Sequence, residues 1–170
     1  MAVVAGIRVV VCLPAAAAGD LRGAIGVALA PFRLGEVPRW RGIWDEWTVR
    51  GGSDGTGFTA LPGHADDPRL IHDDDGYDGT PLPSPPGRCA GGPRGLLDLA
   101  AFRLRARWQP DLLTLDGWWI EDGRHPRHSS CAGEESCPHL ATGERYVRDF
   151  YGHLEAQPAD TLLVALKCHG

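Results

Sequence analysis

The chain has 170 residues with 43% hydrophobic and 23% charged side chains, a balance that suits one domain able to bury a core and excludes wholesale disorder. A formal net charge of −5 argues against a function built on wrapping a nucleic-acid backbone, where affinity comes from neutralised phosphates. No run approaches the roughly 20 apolar residues of a membrane span.

The first predicted element is a buried strand over 7–13, where Ile7 to Leu13 are mostly β-branched and apolar. The apolar stretch from Val9 to Ala18 ends in small residues, but Pro14 interrupts it. Its strongly apolar part is too short for a usual secretory segment. Asp20 is placed to cap a helix whose apolar face is Leu21, Ala24, Ile25, Ala28, Leu29 and Phe32, with Pro31 at its end. Residues 44–50 read as a strand, and Phe58 to Leu61 as a returning one. Between them the Gly-rich segment 50–57 reads as a hairpin connection, with a phosphate cradle of backbone N–H groups as the alternative.

Residues 62–93 are rich in Pro, Gly and Asp and carry no periodicity, so they read as a long inserted loop. Leu97, Ala101, Leu104 and Trp108 form a second helical face. Residues 112–120 read as a strand bent at Gly117, and 121–141 as a second polar insertion. Val147, Phe150, Tyr151 and Leu154 form a third helical face with Thr142 as its cap. Residues 161–168 are apolar enough for a central strand.

Helices returning between strands imply an α+β fold. The expected form is a single domain over 1–170, one sheet with helices mainly on one face, a ferredoxin-like sandwich with insertions at about 62–93 and 121–141. The first and last strands, being the most apolar, are expected to lie centrally and side by side.

The six tryptophans include Trp44 and Trp47 on one strand and the adjacent pair Trp118 and Trp119. Strand side chains alternate, so at least one of each pair is expected to meet solvent, a loop or a partner.

The motifs Trp44-Asp45-Glu46-Trp47, Gly51-Gly52, Leu113-Thr114-Leu115-Asp116-Gly117 and C-terminal Cys168-His169 together span most of the chain. In these the sequence resembles a family of small uncharacterised proteins of actinobacteria and their phages. Ser53-Asp54 stands where that family's pattern often has Arg-Trp. The resemblance implies a shared fold and carries no activity.

Two clusters could carry chemistry. His125, His128, Cys131, Cys137 and His139 place five metal-capable side chains in a polar loop, with the spacing His-x2-His-x2-Cys-x5-Cys-x-His. Zinc asks for about four N/S donors in a tetrahedron, and a loop can fold them inward. The expected cofactor is zinc, with Cys131, Cys137 and His139 as core ligands and His125, His128 or Cys168 as the fourth. The second cluster, residues 64–78, crowds Asp and His together. His72, Asp73 and Asp75 are its candidates for metal-assisted or acid–base work, with a solvated turn as the alternative.

Of the five cysteines, Cys12 and Cys168 lie in apolar runs and are expected to be buried and reduced, which points to the cytoplasm. Two function classes remain. One is a non-catalytic binding or accessory protein with a zinc-held loop and a tryptophan-bearing surface for a protein partner or its own copy. The other is a metal-dependent hydrolase that joins the 64–78 and 125–139 loops. The distance between those loops discriminates them.

Overall fold

The computed structural model describes residues 6–131, 133 and 137–170. It contains a large mixed sheet with helices on both of its faces. Strand β1 (Ile7–Leu13) leads to a 3-10 turn at Ala15–Asp20 and helix α1 (Leu21–Leu29). The Asp20 carboxylate accepts from the Gly23 backbone N–H at 3.1 Å and satisfies a donor the helix start would otherwise orphan. Four short strands come next: β2 (Glu46–Val49), β3 (Phe58–Thr59), β4 (Arg88–Cys89) and β5 (Gly91–Pro93). Helix α2 (Leu99–Arg105) is capped by Asp98. Strands β6 (Asp111–Leu113), β7 (Trp118–Ile120) and β8 (Arg127–His128) precede helices α3 (Leu140–Arg148) and α4 (Phe150–Ala156), and β9 (Leu162–His169) ends the order.

The sheet runs β2-β9-β1-β6-β7-β8, with β5 pairing the remaining part of the outer edge of β9. Strands β1 and β9 are central neighbours, antiparallel along the whole length of β1, from Ile7↔Cys168 to Leu13↔Leu162. Their apolar runs are buried because strands lie on both sides of them and helices or loops on both faces. Strand β6 is parallel to β1, so the sheet is mixed and departs from the all-antiparallel arrangement of a ferredoxin-like sandwich. Helix α1 packs with Val9, Val11 and Leu13 on one face. Residues of α2 and α4 pack with Val10 and Cys12 on the other.

This double coverage corrects the expectation for Trp118 and Trp119, whereas Trp47 of the other pair is only half-buried, as expected. Trp118 and Trp119 point to opposite faces, as alternation demands, yet both are fully buried. Each face has its own core: Trp119 joins Phe32 and Leu29, and Trp118 joins Phe150 and Ile120. Trp44 is buried as well, with its Nε1–H donating to the Leu29 carbonyl at 2.8 Å.

The 112–120 segment reverses at Gly117 instead of bending. Gly117 takes φ 83°, and residues 114–117 close a tight turn between the antiparallel strands β6 and β7. The third helical face divides into α3 and α4 at Asp149, whose carboxylate accepts from the Gly152 N–H and starts α4. Thr142 lies inside α3 and does not cap it. Among the described residues no helix is long and apolar enough to cross a membrane.

Candidate metal centre

Four of the five expected donors converge. Ligand atoms of His128, Cys131, Cys137 and His139 all lie within 4.8 Å of one another. The Cys131 Sγ stands 3.1 Å from Cys137 Sγ, 3.3 Å from His128 Nδ1 and 3.8 Å from His139 Nδ1. Donors bound to one zinc ion at about 2.3 Å for sulfur and 2.0–2.1 Å for nitrogen sit about 3.4–3.8 Å apart in a tetrahedron. The cluster is close to that size. The sulfur pair is far outside bonding distance, and both thiols are free.

Local structure explains how the donors meet. His128 ends β8, which pairs with β7 in the register Trp118↔His128, so its ring faces the Trp118 side of the sheet at a centroid distance of 4.6 Å. A turn brings Cys131 back, with its N–H directed to the His128 carbonyl. Cys137 and His139 arrive at the start of α3, where His139 holds the N-cap position. Gly143 lets α3 come this close: a Cβ there would lie 2.6 Å from Trp118 Cζ3. Arg41 ties the loop to the body, donating from Nη1 to the Cys131 carbonyl at 2.9 Å and from Nε to the Pro31 carbonyl at 2.7 Å.

The orientation of His128 is fixed from behind. Its Nε2 lies 3.1 Å from the Asp116 carbonyl oxygen, which can only accept, so that nitrogen carries the proton. The Nδ1 lone pair is then presented to the thiols. A metal-binding histidine backed by a carbonyl has this arrangement. Burial lowers the His128 imidazole below its ordinary value, against the pull of the Asp116 carbonyl, and favours the neutral ring that can ligate. Burial, then the hydrogen bond and charge of Cys137, push the Cys131 thiol up to about 11.

Asp116 also joins the β6–β7 turn to α3, because its carboxylate accepts from Thr114 Oγ1 at 2.5 Å and from Tyr146 Oη at 2.8 Å. Sequence reasoning passed over Asp116, Arg41 and Gly143 as parts of the site. The Asp116-Gly117 dipeptide, a strong hairpin signal, was a clue to Asp116 alone, since Arg41 and Gly143 act through contacts far apart in sequence.

Two other expected ligands lie elsewhere. His125 is exposed in the turn before β8 and is not among the converging donors. Cys168 is buried in the core on the α1 face, between β1 and β2, where burial pushes its thiol up to about 12. Its neighbour His169 pairs instead with Asp45, Nδ1 to Oδ1 at 2.8 Å. The Trp-Asp and Cys-His motifs thus meet across the β2–β9 pair.

The Asp-rich loop behaves differently. The Asp73 carboxylate accepts from the backbone N–H groups of Gly51, Gly52 and Ser53 at 3.0, 2.8 and 3.0 Å, and from the Ser53 hydroxyl. Its side chain is 0% exposed. The Gly-rich cradle read from the sequence exists, and this chain's own carboxylate fills it. Asp74 accepts from the Val49 N–H at 2.8 Å, from Thr48 Oγ1 at 3.1 Å and from Arg22. These partners outweigh burial and hold its carboxyl below the usual range. His72 and Asp75 are not fully buried and belong to no converging donor group among the described residues.

The two loops also hang from opposite edges of the sheet. Asp73 and Asp74 dock at β2 and the metal-capable cluster at β8, five strand steps apart, or about 24 Å at 4.8 Å per step. A joint site of the 64–78 and 125–139 loops has no geometric basis.

No protein-family model matches the chain, and comparison with curated proteins and with solved structures returns no match.

Proposed function

We propose that this protein is a small non-catalytic binding or accessory protein whose 125–139 loop is held by a structural zinc ion. His128, Cys131, Cys137 and His139 would be its four ligands. The observation that carries this reading is the backed His128 ring, with Nδ1 aimed at two thiols and a second imidazole. Two thiolates and two neutral imidazoles neutralise a divalent cation, which suits a partly buried site. Four protein donors complete a tetrahedron and leave no position for a reacting water, as in structural rather than catalytic zinc sites. Thiolate-rich donor sets favour zinc over magnesium or calcium.

The tryptophan-bearing surface narrows to one place in this reading. Trp108 is 86% exposed, and Leu104, four residues before it, is 87% exposed. That is where a ligand, a protein partner or a second copy would be met. None of the five cysteines is in a disulfide, which favours a reducing compartment such as the cytoplasm.

Metal analysis of protein purified without chelators tests the reading. The expected result is one zinc per chain, lost in Cys137→Ser and in His128→Ala. Substitution by cobalt should give the intense visible bands of tetrahedral thiolate coordination. Metal-free protein from zinc-supplied cells, with the loop ordered, would sink the proposal.

A further inference from the structure

A cleft of about 850 Å³ opens at the end of the sheet where β1 begins. Its walls are the start of β1, the Gly55–Gly57 turn, the segment following α2 and the turn between β7 and β8. The volume falls in the range of small-molecule sites, about 300–1,000 Å³.

The charge of this cleft runs against that of the chain. Arg8, Arg105, Arg107, Arg124 and Arg127 line it, against the carboxylates of Asp111 and Glu121. With Asp54 paired to Arg8, two positive charges in excess gather there on a protein whose net charge is −5. Burial pushes the Asp111 carboxyl up to about 7, despite the Trp119 N–H bound to it, so the positive excess grows below neutrality.

The donors in the cleft are also incompletely used. Five buried side-chain nitrogens have no hydrogen-bond partner among the described residues, and three of them belong to cleft residues: Arg8 Nη1, Arg105 Nη1 and Gln109 Nε2. Arg8 spends Nη2 on Asp54 at 2.7 Å. Among the described residues Arg105 holds only long bonds to backbone carbonyls, 3.3 Å to Ala101 and 3.4 Å to Gly57. A buried donor without a partner is unfavourable, and a bound acceptor offsets that cost after a small rotation of the guanidinium. Guanidinium forks match the oxygen pairs of phosphate. The rim carries the exposed Trp108 ring, a free face for stacking a planar group.

We infer that this cleft binds a phosphate ester of a planar ring, a mononucleotide in chemical class, with Arg8 and Arg105 on the phosphate and Trp108 against the ring. The inference rests on the binding-protein reading and is independent of the metal.

Calorimetry and tryptophan fluorescence with adenosine diphosphate, on the full zinc-loaded chain, test it. The expected result is saturable binding with quenching. Adenosine and inorganic pyrophosphate, each carrying half of the recognised chemistry, should bind at least about tenfold more weakly, a difference of about 1.4 kcal/mol. Arg105→Gln should weaken adenosine diphosphate by a similar factor. Trp108→Leu, an exposed substitution that leaves the core untouched, should remove the quenching and bring affinity down to that of pyrophosphate. Arg94→Gln, outside the cleft, should change nothing. Absence of saturable binding, or equal binding by Arg105→Gln, would overturn the inference. So would a single-stranded RNA oligomer that binds more tightly per nucleotide than adenosine diphosphate, which would make the cleft a nucleic-acid groove. Zinc content is read on the same samples, so loss of the metal reading and loss of the ligand reading are separate results. Release of phosphate from the bound nucleotide would support the cleft and overturn the non-catalytic reading.

Discussion

The two polar insertions of this protein look alike as sequences and do opposite things as structures. In the 64–78 loop, Asp73 and Asp74 turn inward and spend their oxygens on backbone N–H groups, hydroxyls and arginine. In the 125–139 loop, four donors turn toward one another. The difference lies in what each side chain can find inside a protein. A carboxylate accepts from any N–H, and the backbone of a Gly-rich turn offers several at once. A thiol or an imidazole lone pair has few protein partners that would gather four of them at one point. Acidic residues crowded in a loop are therefore weak indicators of a metal, because a nearby backbone can satisfy them.

The comparison is broken most severely by removing the zinc proposed for the second loop. Stripping zinc, or making Cys137→Ser, is expected to lower stability by about 4 kcal/mol when free zinc stands about 1,000-fold above its dissociation constant. Thermal unfolding with and without added zinc measures this. A wild-type protein indifferent to zinc would reverse the assignment of roles.

The first loop should fail through its own anchor. Asp73→Ala leaves three backbone donors and a hydroxyl, all at least half-buried, without their acceptor, and is expected to cost about 3 kcal/mol by denaturant unfolding. Zinc content should be unchanged. A drop in metal stoichiometry would mean that the two loops are coupled across the sheet.

A third carboxylate sharpens the contrast. Asp111 has one donor, Trp119 Nε1 at 2.9 Å, where Asp73 has four, and burial pushes its carboxyl up to about 7. An unfolded aspartate titrates at about 3.9. Between those values the native state holds a proton that the unfolded chain has released. The contribution of this group to stability is therefore fully present below about pH 4 and falls as pH rises toward 7, by at most about 1.4 kcal/mol per unit. Asp111→Asn should flatten that part of the stability–pH curve. A variant with an unchanged slope would exclude Asp111 as its source.

The smallest effects belong to the histidines outside the cluster that shared the sequence signal. His72→Ala and His125→Ala should each change stability by no more than about 0.5 kcal/mol and leave zinc bound. Loss of metal in His125→Ala would place the fourth ligand there instead of at His128.

What could be read in advance follows from how local each signal is. The central pairing of β1 and β9 was legible because a strand buried on both faces must be apolar at every position, as Val9 to Leu13 and Leu162 to Leu166 are. The Asp20 cap was legible because it acts within three residues. The choice of His128 over His125 was not. It depends on the register of the two-residue strand β8 against β7, which alone decides that His128 faces Trp118. The burial of both Trp118 and Trp119 was missed for a similar reason. Alternation shows that they face apart, but only the placement of α1 on one face and α2 and α4 on the other shows that neither side is wet. The fate of Asp73 lay in a contact across some twenty residues, between two segments that each looked like an ordinary turn.

Strand β9, synthesised after the other strands of its sheet, lies between β1 on one side and β2 with β5 on the other. Every strand on the β2 side reaches the rest of the sheet only through it. A nascent chain therefore cannot zip its sheet from one end as it emerges. Until β9 arrives, the inner edges of β1 and β2 stay unpaired, with the apolar row of β1 uncovered. Folding waits on a contact between segments about 155 positions apart, since Ile7 pairs with Cys168 at one end and Leu13 with Leu162 at the other. For that interval, protection from aggregation has to come from outside the sheet, by chaperone cover or speed of completion.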